Sequence, residues 1–268
     1  MDTRVLNSDY AIWGKLHAEV VALAASEPVL AGYLHATVIN HESIIDSLSY
    51  LLAGKLASPD LSAMSLREVI LQIFNASPDI ESAIHFDLAA SIDRDPASHG
   101  VANPFLNFKG FHALEAYRVA HYLWQEDRRA LAFYLQSRIS EVFAVDIHPA
   151  AKIGNGIFID HGTGIVIGET AVVGDNVSIL QEVTLGGTGK ETGDRHPKIE
   201  RGVLICAGSK ILGNIRVGVG AKVGAGSVVL TDVPPHTTVV GVPARIVGKC
   251  MCPEPALLMD QHIDEFSG

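Results

Sequence analysis

The sequence is poor in cysteine, aromatics and basic charge, and each shortage narrows its chemistry. Three cysteines, Cys206, Cys250 and Cys252, all fall in the second half of the 268 residues. An odd, sparse set argues for reduced thiols rather than a disulfide framework. The C-M-C pair offers two soft ligands where a zinc site usually takes four, so no metal is expected. Aromatics make up 6% of the chain, and the formal net charge is −10. That charge divides as −7 over 1–145, +1 over 146–249 and −4 from 250 onward. A nucleic-acid binder needs a basic stripe, and none is present. No uncharged run reaches the roughly 18–20 residues that span a bilayer, and the opening MDTRVLNSDYAIWGKLH is not a basic leader followed by an apolar segment. A soluble, cytoplasmic protein without a membrane partner is expected. The middle segment is the least acidic and the best host for an anionic ligand.

Hydrophobic residues make up 48% of the chain, enough for a large core. Residues 1–145 read as an α-helical domain. Leu30, Leu34, Val38, Ile45, Leu48 and Leu52 make one apolar face at helical spacings. Ser65 with Glu68 reads as a capping box ahead of Val69, Ile70 and Ile73. Ser77-Pro78 reads as a cap followed by proline at the first helical position. Two further helices fit 105–124 and 127–144.

From Ile147 the period becomes six. Positions 147, 153, 159, 165, 171, 177 and 183, then 199, 205, 211, 217, 223 and 229, are all aliphatic. This is the hexapeptide repeat of a parallel β-helix, with eighteen residues to a three-sided coil. The fold class expected is α+β: the helical domain, a left-handed β-helix over 146–249 with one extruded loop, and an irregular C-terminal tail over 250–268. Val183 to Ile199 spans one repeat and ten extra residues, read as a single insertion, LGGTGKETGDRHPK. It carries Lys190, Asp194, Arg195 and His196 among glycines, and such loops are common binding elements.

The candidate chemistry centres on Asp160-His161. An eighteen-residue coil puts Asp146 on the same face as His161, one rung away, where rungs lie about 4.8 Å apart. A carboxylate on one imidazole nitrogen fixes the tautomer and leaves the other as a base. The alternative is a histidine bonded to a corner carbonyl. GGTG at 186–189 offers backbone N–H groups to a phosphate or an oxyanion. Arg195-His196 offers a carboxylate-binding fork. GVPARIVGK at 241–249 adds Arg245 and Lys249.

The segments DIHPAAKIG (146–154), DHGTGIVIGET (160–170), VTLGGTGKETGDRHPKI (183–199) and GVPARIV (241–247), with RDPA (94–97), resemble the serine acetyltransferase family. The resemblance implies acetyl transfer from acetyl-CoA to L-serine with no metal, the first step of cysteine synthesis, with L-cysteine as feedback inhibitor. It implies His161 as general base with Asp146 as its partner, and Asp95, Asp160, Arg195, His196 and Glu169 around the substrate. It implies acetyl-CoA along the coil at Gly187, Thr188, Ala207, Lys222 and Arg245, and a hexamer of paired trimers with sites between neighbouring coils. It also implies a complex with O-acetylserine sulfhydrylase through a C-terminal isoleucine. This chain ends IDEFSG, which argues against that complex, and Glu182 stands where the family usually has glycine. Three rivals remain: an acyltransferase acting on a sugar hydroxyl, a three-histidine zinc enzyme drawing on His148, His161, His196 and His236, and a structural scaffold.

Overall fold

The computed structural model describes residues 3–263 apart from 190, 191 and 251, with side chains from Ile12 onward. Lys190 and residues 264–268, most of the IDEFSG terminus, lie outside the described residues.

The helices run α1 (Thr3–Ser26), α2 (Ala31–Leu34), α3 (Ile44–Leu56), α4 (Ala63–Ala76), α5 (Pro78–Arg94), α6 (Ala102–Asn107), α7 (Lys109–Gln125) and α8 (Arg129–Phe143). The apolar face expected over 30–52 is not one helix. The chain passes through a 3-10 turn at Pro28–Leu30, α2 and a π turn at His35–Ile39 before α3. Leu30 is left half exposed, while Leu34, Val38, Leu48 and Leu52 enter the core. The Ser65–Glu68 capping box is displaced as well. Ser62 is the cap, accepting from the Ser65 N–H at 3.2 Å, so α4 starts earlier than the box implied. Pro78 opens α5 as expected. The helix expected over 105–124 divides at Phe108, which is extended and lets α7 start against the β-helix.

The strands follow in chain order: β1 (Val145–Ile147), β2 (Lys152–Ile153), β3 (Phe158–Ile159), β4 (Ile165–Ile167), β5 (Val172–Val173), β6 (Ser178–Ile179), β7 (Thr184–Gly186) and β8 (Lys198–Ile199). Then come β9 (Leu204–Ile205), β10 (Lys210–Leu212), β11 (Arg216–Val217), β12 (Lys222–Val223), β13 (Val228–Val229), β14 (Thr237–Gly241) and β15 (Ala244–Lys249). They stack as a parallel β-helix of three faces. The first face holds β1-β4-β7-β10-β13, the second β2-β5-β8-β11, and the third β3-β6-β9-β12-β14 with β15 antiparallel on its edge.

The register corrects the single-insertion reading. Val145 pairs with Ile165 and Phe158 with Ser178, a coil of twenty residues. Val166 pairs with Thr184, the regular eighteen, but Val172 pairs with Lys198, twenty-six residues on. The ten extra residues therefore sit in two places: two between β3 and β4, at the His161 corner, and eight between β7 and β8. The sequence concealed this because each side of the coil buries two aliphatic positions. Ile147, Ile153, Ile159, Ile167, Val173, Ile179 and Leu185 form one inward column, and Val145, Ala151, Ile157, Ile165, Ala171, Val177 and Val183 form another, two residues earlier. After Ile159 the six-residue count slips from the first column to the second without meeting a polar residue.

A buried ionic node joins the helices to the first coil. The Asp87 carboxylate accepts from Arg118 Nε at 3.0 Å and from the Ile157 N–H at 2.7 Å, and Arg118 Nη2 donates to the Gly154 carbonyl at 2.8 Å. Burial and the neighbouring Asp87 charge raise the Glu115 carboxyl well above its ordinary value. Its Oε2 still stands 3.4 Å from Arg118 Nε, so the Arg118 guanidinium lies between both carboxyl groups. Gly110, in the first turn of α7, shows how close this docking is. A β-carbon there would stand 2.2 Å from the Ile159 carbonyl oxygen. Beyond β15 the chain folds back over the third face through α9 (Pro255–Leu258), so the tail contains one helical turn. Among the described residues no single helix is long and apolar enough to cross a membrane.

Candidate active site

Two extra residues between β3 and β4 lift the corner out of the coil. His161 takes a left-handed φ of 57°, unusual for a residue with a β-carbon, and its side chain is 71% exposed. The corner is nevertheless fixed. The Gly164 N–H donates to the Ala144 carbonyl at 2.8 Å, and the Glu182 N–H donates to the Thr163 carbonyl at 2.7 Å. Lys109, the first residue of α7, donates to the Thr163 hydroxyl. Glu182 itself takes a φ of 59° and so fits a position at which glycine serves well.

Asp160 lies beside His161, its Oδ1 3.7 Å from Nε2. Burial raises the Asp160 carboxyl above its ordinary value; His161 opposes that rise and Asp95 adds to it. Asp95 caps the C-terminal end of α5, and its Oδ1 accepts from the Ala97 N–H at 2.8 Å. Asp95, Asp160 and His161 line a cleft of about 240 Å³, closed on its other side by Asn107, Phe108 and Lys109. The sequence reading did not single out Lys109. Only its place at the head of the helix that docks on the corner marks it.

The expected Asp146–His161 pair is not formed within the chain. Asp146 Oδ1 accepts from Gln136 Nε2 at 2.7 Å, and its strand partner is Val166. The longer first coil is the reason: the pairing assumed eighteen residues, and twenty carry His161 further from Asp146 along the turn. The two still share an edge, since a β-carbon on Gly162 would stand 3.2 Å from the Val145 side chain.

The eight-residue insertion builds a second cluster, around Thr170. Its hydroxyl accepts from the Arg195 and His196 N–H groups at 3.0 and 3.1 Å. The Thr170 N–H donates to His196 Nδ1 at 3.2 Å, so neutral His196 carries its proton on Nε2. Burial, helped by Arg195, lowers the His196 pKa, which favours this neutral form. Arg195 Nη2 donates to Glu169 at 2.7 Å and holds that carboxyl below its ordinary value. Lys198 joins Asp194 at 2.5 Å and the carbonyls of Thr170 and His196, pinning the base of the loop. Thr170 was another omission of the sequence reading, because a hydroxyl that organises backbone leaves no motif.

The two clusters occupy different corners. Asp95, Asp160 and His161 stand where the third face meets the first; Glu169, Arg195 and His196 stand where the first meets the second. A three-residue strand, on the order of 10 Å, separates them. The expected acetyl-CoA residues are divided as well. Gly187 and Thr188 belong to the inserted loop. Ala207 follows β9 and Lys222 lies in β12, both on the third-face side, and Arg245 is exposed on β15. Lys222 is buried beneath the tail and donates to the His262 carbonyl at 2.7 Å. Among the described residues no three of His, Cys, Asp or Glu converge on a metal position.

Helices packed on a parallel hexapeptide β-helix, with a histidine and carboxylates raised at a lengthened corner, define an acyltransferase of the hexapeptide-repeat class. Comparison with known proteins gives the family. Residues 12–116 match the model for the serine acetyltransferase N-terminal region. Serine acetyltransferase of Salmonella typhimurium is 58% identical over 253 residues, covering 94% of this chain and 93% of its own. A serine acetyltransferase solved in complex with cysteine superposes with a TM-score of 0.94 at 52% identity, over 96% of this chain and 100% of its own. The soybean enzyme complexed with serine gives 0.88 at 57% identity, over 90% and 99%. The Brucella abortus enzyme in complex with coenzyme A gives 0.89 at 51% identity, over 90% and 97%. The chain belongs to the serine acetyltransferase family.

Proposed function

We propose that the protein transfers the acetyl group of acetyl-CoA to the hydroxyl of L-serine, giving O-acetylserine and coenzyme A as the first step of cysteine synthesis in the cytoplasm. The observation that carries this reading is the cleft in which two carboxylates, Asp95 and Asp160, flank an exposed imidazole. Paired carboxylates suit a substrate ammonium group, whereas a sugar hydroxyl needs neither. The solved relatives that hold serine and coenzyme A support the same pair of reactants.

His161 takes the proton of the serine hydroxyl as that oxygen attacks the thioester carbonyl, then returns it to the departing thiolate sulfur. General base assistance of this kind contributes about 10²–10⁴-fold. Asp160 orients the ring, with Asp146 a second carboxylate on the same edge, free to act once Gln136 releases it. Arg195 holds the substrate carboxylate after exchanging Glu169 for it, and His196 donates from Nε2. Backbone N–H groups of Gly187 and Thr188 face the developing oxyanion, and Ala207, Lys222 and Arg245 hold the acetyl donor.

Because Arg195 and His161 stand a face-width apart in one chain, the complete site lies between two copies, His161 of one opposite Arg195 of the next. A trimer of coils meets this requirement, and pairing of two trimers through their helices gives the hexamer. L-Cysteine keeps the ammonium and carboxylate of serine, so it competes for the same cleft. A thiol-release assay with acetyl-CoA against serine, threonine, homoserine and galactosides tests the reading. Turnover confined to serine is expected; preference for a galactoside would transfer the assignment to the sugar acyltransferases.

A further inference from the structure

The C-M-C motif has no part in acyl transfer, yet its two cysteines line a built cleft. After β15 the chain turns back, and Glu254 pairs with Arg201 at 2.8 Å while the Ala256 carbonyl accepts from Ser178 Oγ at 2.9 Å. Between this tail and the third face lies a cavity of about 200 Å³, bordered by Cys250, Cys252, Lys222, Lys249, Asp260 and His262. Both thiols are half-buried, and the Cys252 backbone N–H approaches the Cys250 sulfur. Cys206, the third cysteine, is sealed in the core under Ala256.

We propose that Cys250 and Cys252 form a thiol–disulfide exchange site for small disulfides that carry carboxylates. Lys249, with Lys222 beside Asp260 at 3.7 Å, supplies the attraction for the carboxylates, and Lys222 also favours the Cys250 thiolate against burial and the Asp260 charge. The Cys250 thiolate attacks one sulfur of the incoming disulfide; the S–S bond breaks and the first thiolate leaves, taking a proton. Cys252 loses its proton and attacks the Cys250 sulfur, expelling the second thiolate. The incoming disulfide is thereby reduced to two thiols, and the protein loses two hydrogens as an intrachain disulfide closes. Burial holds the Cys250 thiol above its ordinary value, so exchange accelerates as pH rises. Closing that ring pulls on the turn into Pro253 and Glu254, loosening the tail above Ala207 and Lys222.

The test uses the full chain and oxidised glutathione, read by intact mass after acid quenching, so it does not depend on turnover or on the acyl-transfer reading. Wild type is expected to lose two hydrogens without retaining glutathione. Cys252→Ser is expected to stop with one glutathione on Cys250, and Cys206→Ser to behave as wild type. Lys249→Gln is expected to slow reaction with oxidised glutathione severalfold while leaving reaction with neutral bis(2-hydroxyethyl) disulfide unchanged. A wild-type protein that stays a dithiol, glutathione found on Cys206, or a Lys249→Gln effect equal for both disulfides overturns the proposal.

Discussion

Removing the His161 side chain should separate catalysis from stability. The ring is 71% exposed and 3.7 Å from the Asp160 carboxylate, so His161→Ala deletes little packing and one long polar contact. Exposed substitutions of this kind usually stay within about 0.5 kcal/mol. The backbone adds a second expectation. At a φ of 57° any residue with a β-carbon carries strain of roughly 1–2 kcal/mol, which glycine relieves. Glycine also gains freedom in the unfolded chain, which offsets roughly 0.5–1 kcal/mol of that relief. His161→Gly should therefore be as stable as wild type or slightly more so. Turnover should move the other way. Loss of a general base costs about 10²–10⁴ in kcat, or about 2.7–5.4 kcal/mol at 1.36 kcal/mol per tenfold. Thermal unfolding and thiol release at saturating serine and acetyl-CoA measure both quantities on one preparation. A folded His161→Ala protein with kcat within tenfold of wild type would falsify the assignment of the base. A loss of stability beyond about 2 kcal/mol would show instead that the ring holds the corner together.

Four other outcomes follow from the same geometry. Asp160→Asn should lower kcat/KM for serine more than Asp146→Asn, since Asp160 faces the cleft and Asp146 is bonded to Gln136; steady-state kinetics in which the order is reversed restores Asp146 as the working partner. Lys109→Met should lower kcat about tenfold through loss of one charge-assisted bond to Thr163, with Lys109→Arg recovering most of it and KM for acetyl-CoA unchanged; equal effects of the two variants refute a positioning role. Arg118→Met leaves the Asp87 carboxylate buried without its partner and should cost about 3–5 kcal/mol in denaturant unfolding, a far larger loss than any site variant produces. Arg195 depresses the Glu169 carboxyl, so the pair contributes above the unfolded carboxyl value and is lost as pH falls through the folded one. Amide protection factors in the 187–197 loop, taken relative to the intrinsic exchange rate at each pH, should fall over that acid window, and protection that stays constant there counts against the pair.

Much of this molecule was legible in its residues, and the part that was not failed for a definable reason. The aliphatic period of six announced the β-helix, because an inward position must repeat once per side. The same property hid the phase: Ile165, Ala171, Val177 and Val183 are as deeply buried as Ile167, Val173, Ile179 and Leu185, so hydrophobicity alone cannot tell the columns apart. Only the ladder pairing resolves them. The helices were harder still, since Leu30 carries the right spacing on a chain that has already turned into a 3-10 segment. The candidate site residues stand out in the sequence through motifs. Lys109 and Gln136 act through one bond each, and Thr170 through several bonds to the loop backbone and to His196, none of which leaves a spacing to read.

The regular coil explains why the candidate site residues gather at two corners. On each side of a coil two residues face the core, and the outward positions lie on flat ladders where neighbouring rungs fix every backbone group. A side chain there can bind but cannot be aimed. Extra residues change this locally. Two of them lift His161 clear of the third face, on a left-handed backbone that regular corners such as Asn176 and Glu182 share, while Lys109 and the Ala144 carbonyl fix the corner. Eight of them carry Arg195 and His196 outward and return to the ladder at Lys198, anchored by Thr170. Both interruptions therefore combine displacement with an external clamp, which regular rungs lack. An active site divided between such corners needs a second coil to bring its halves together. On the proposed reading, assembly thus belongs to the catalytic geometry itself, and dilution to monomers should abolish turnover while leaving each β-helix folded.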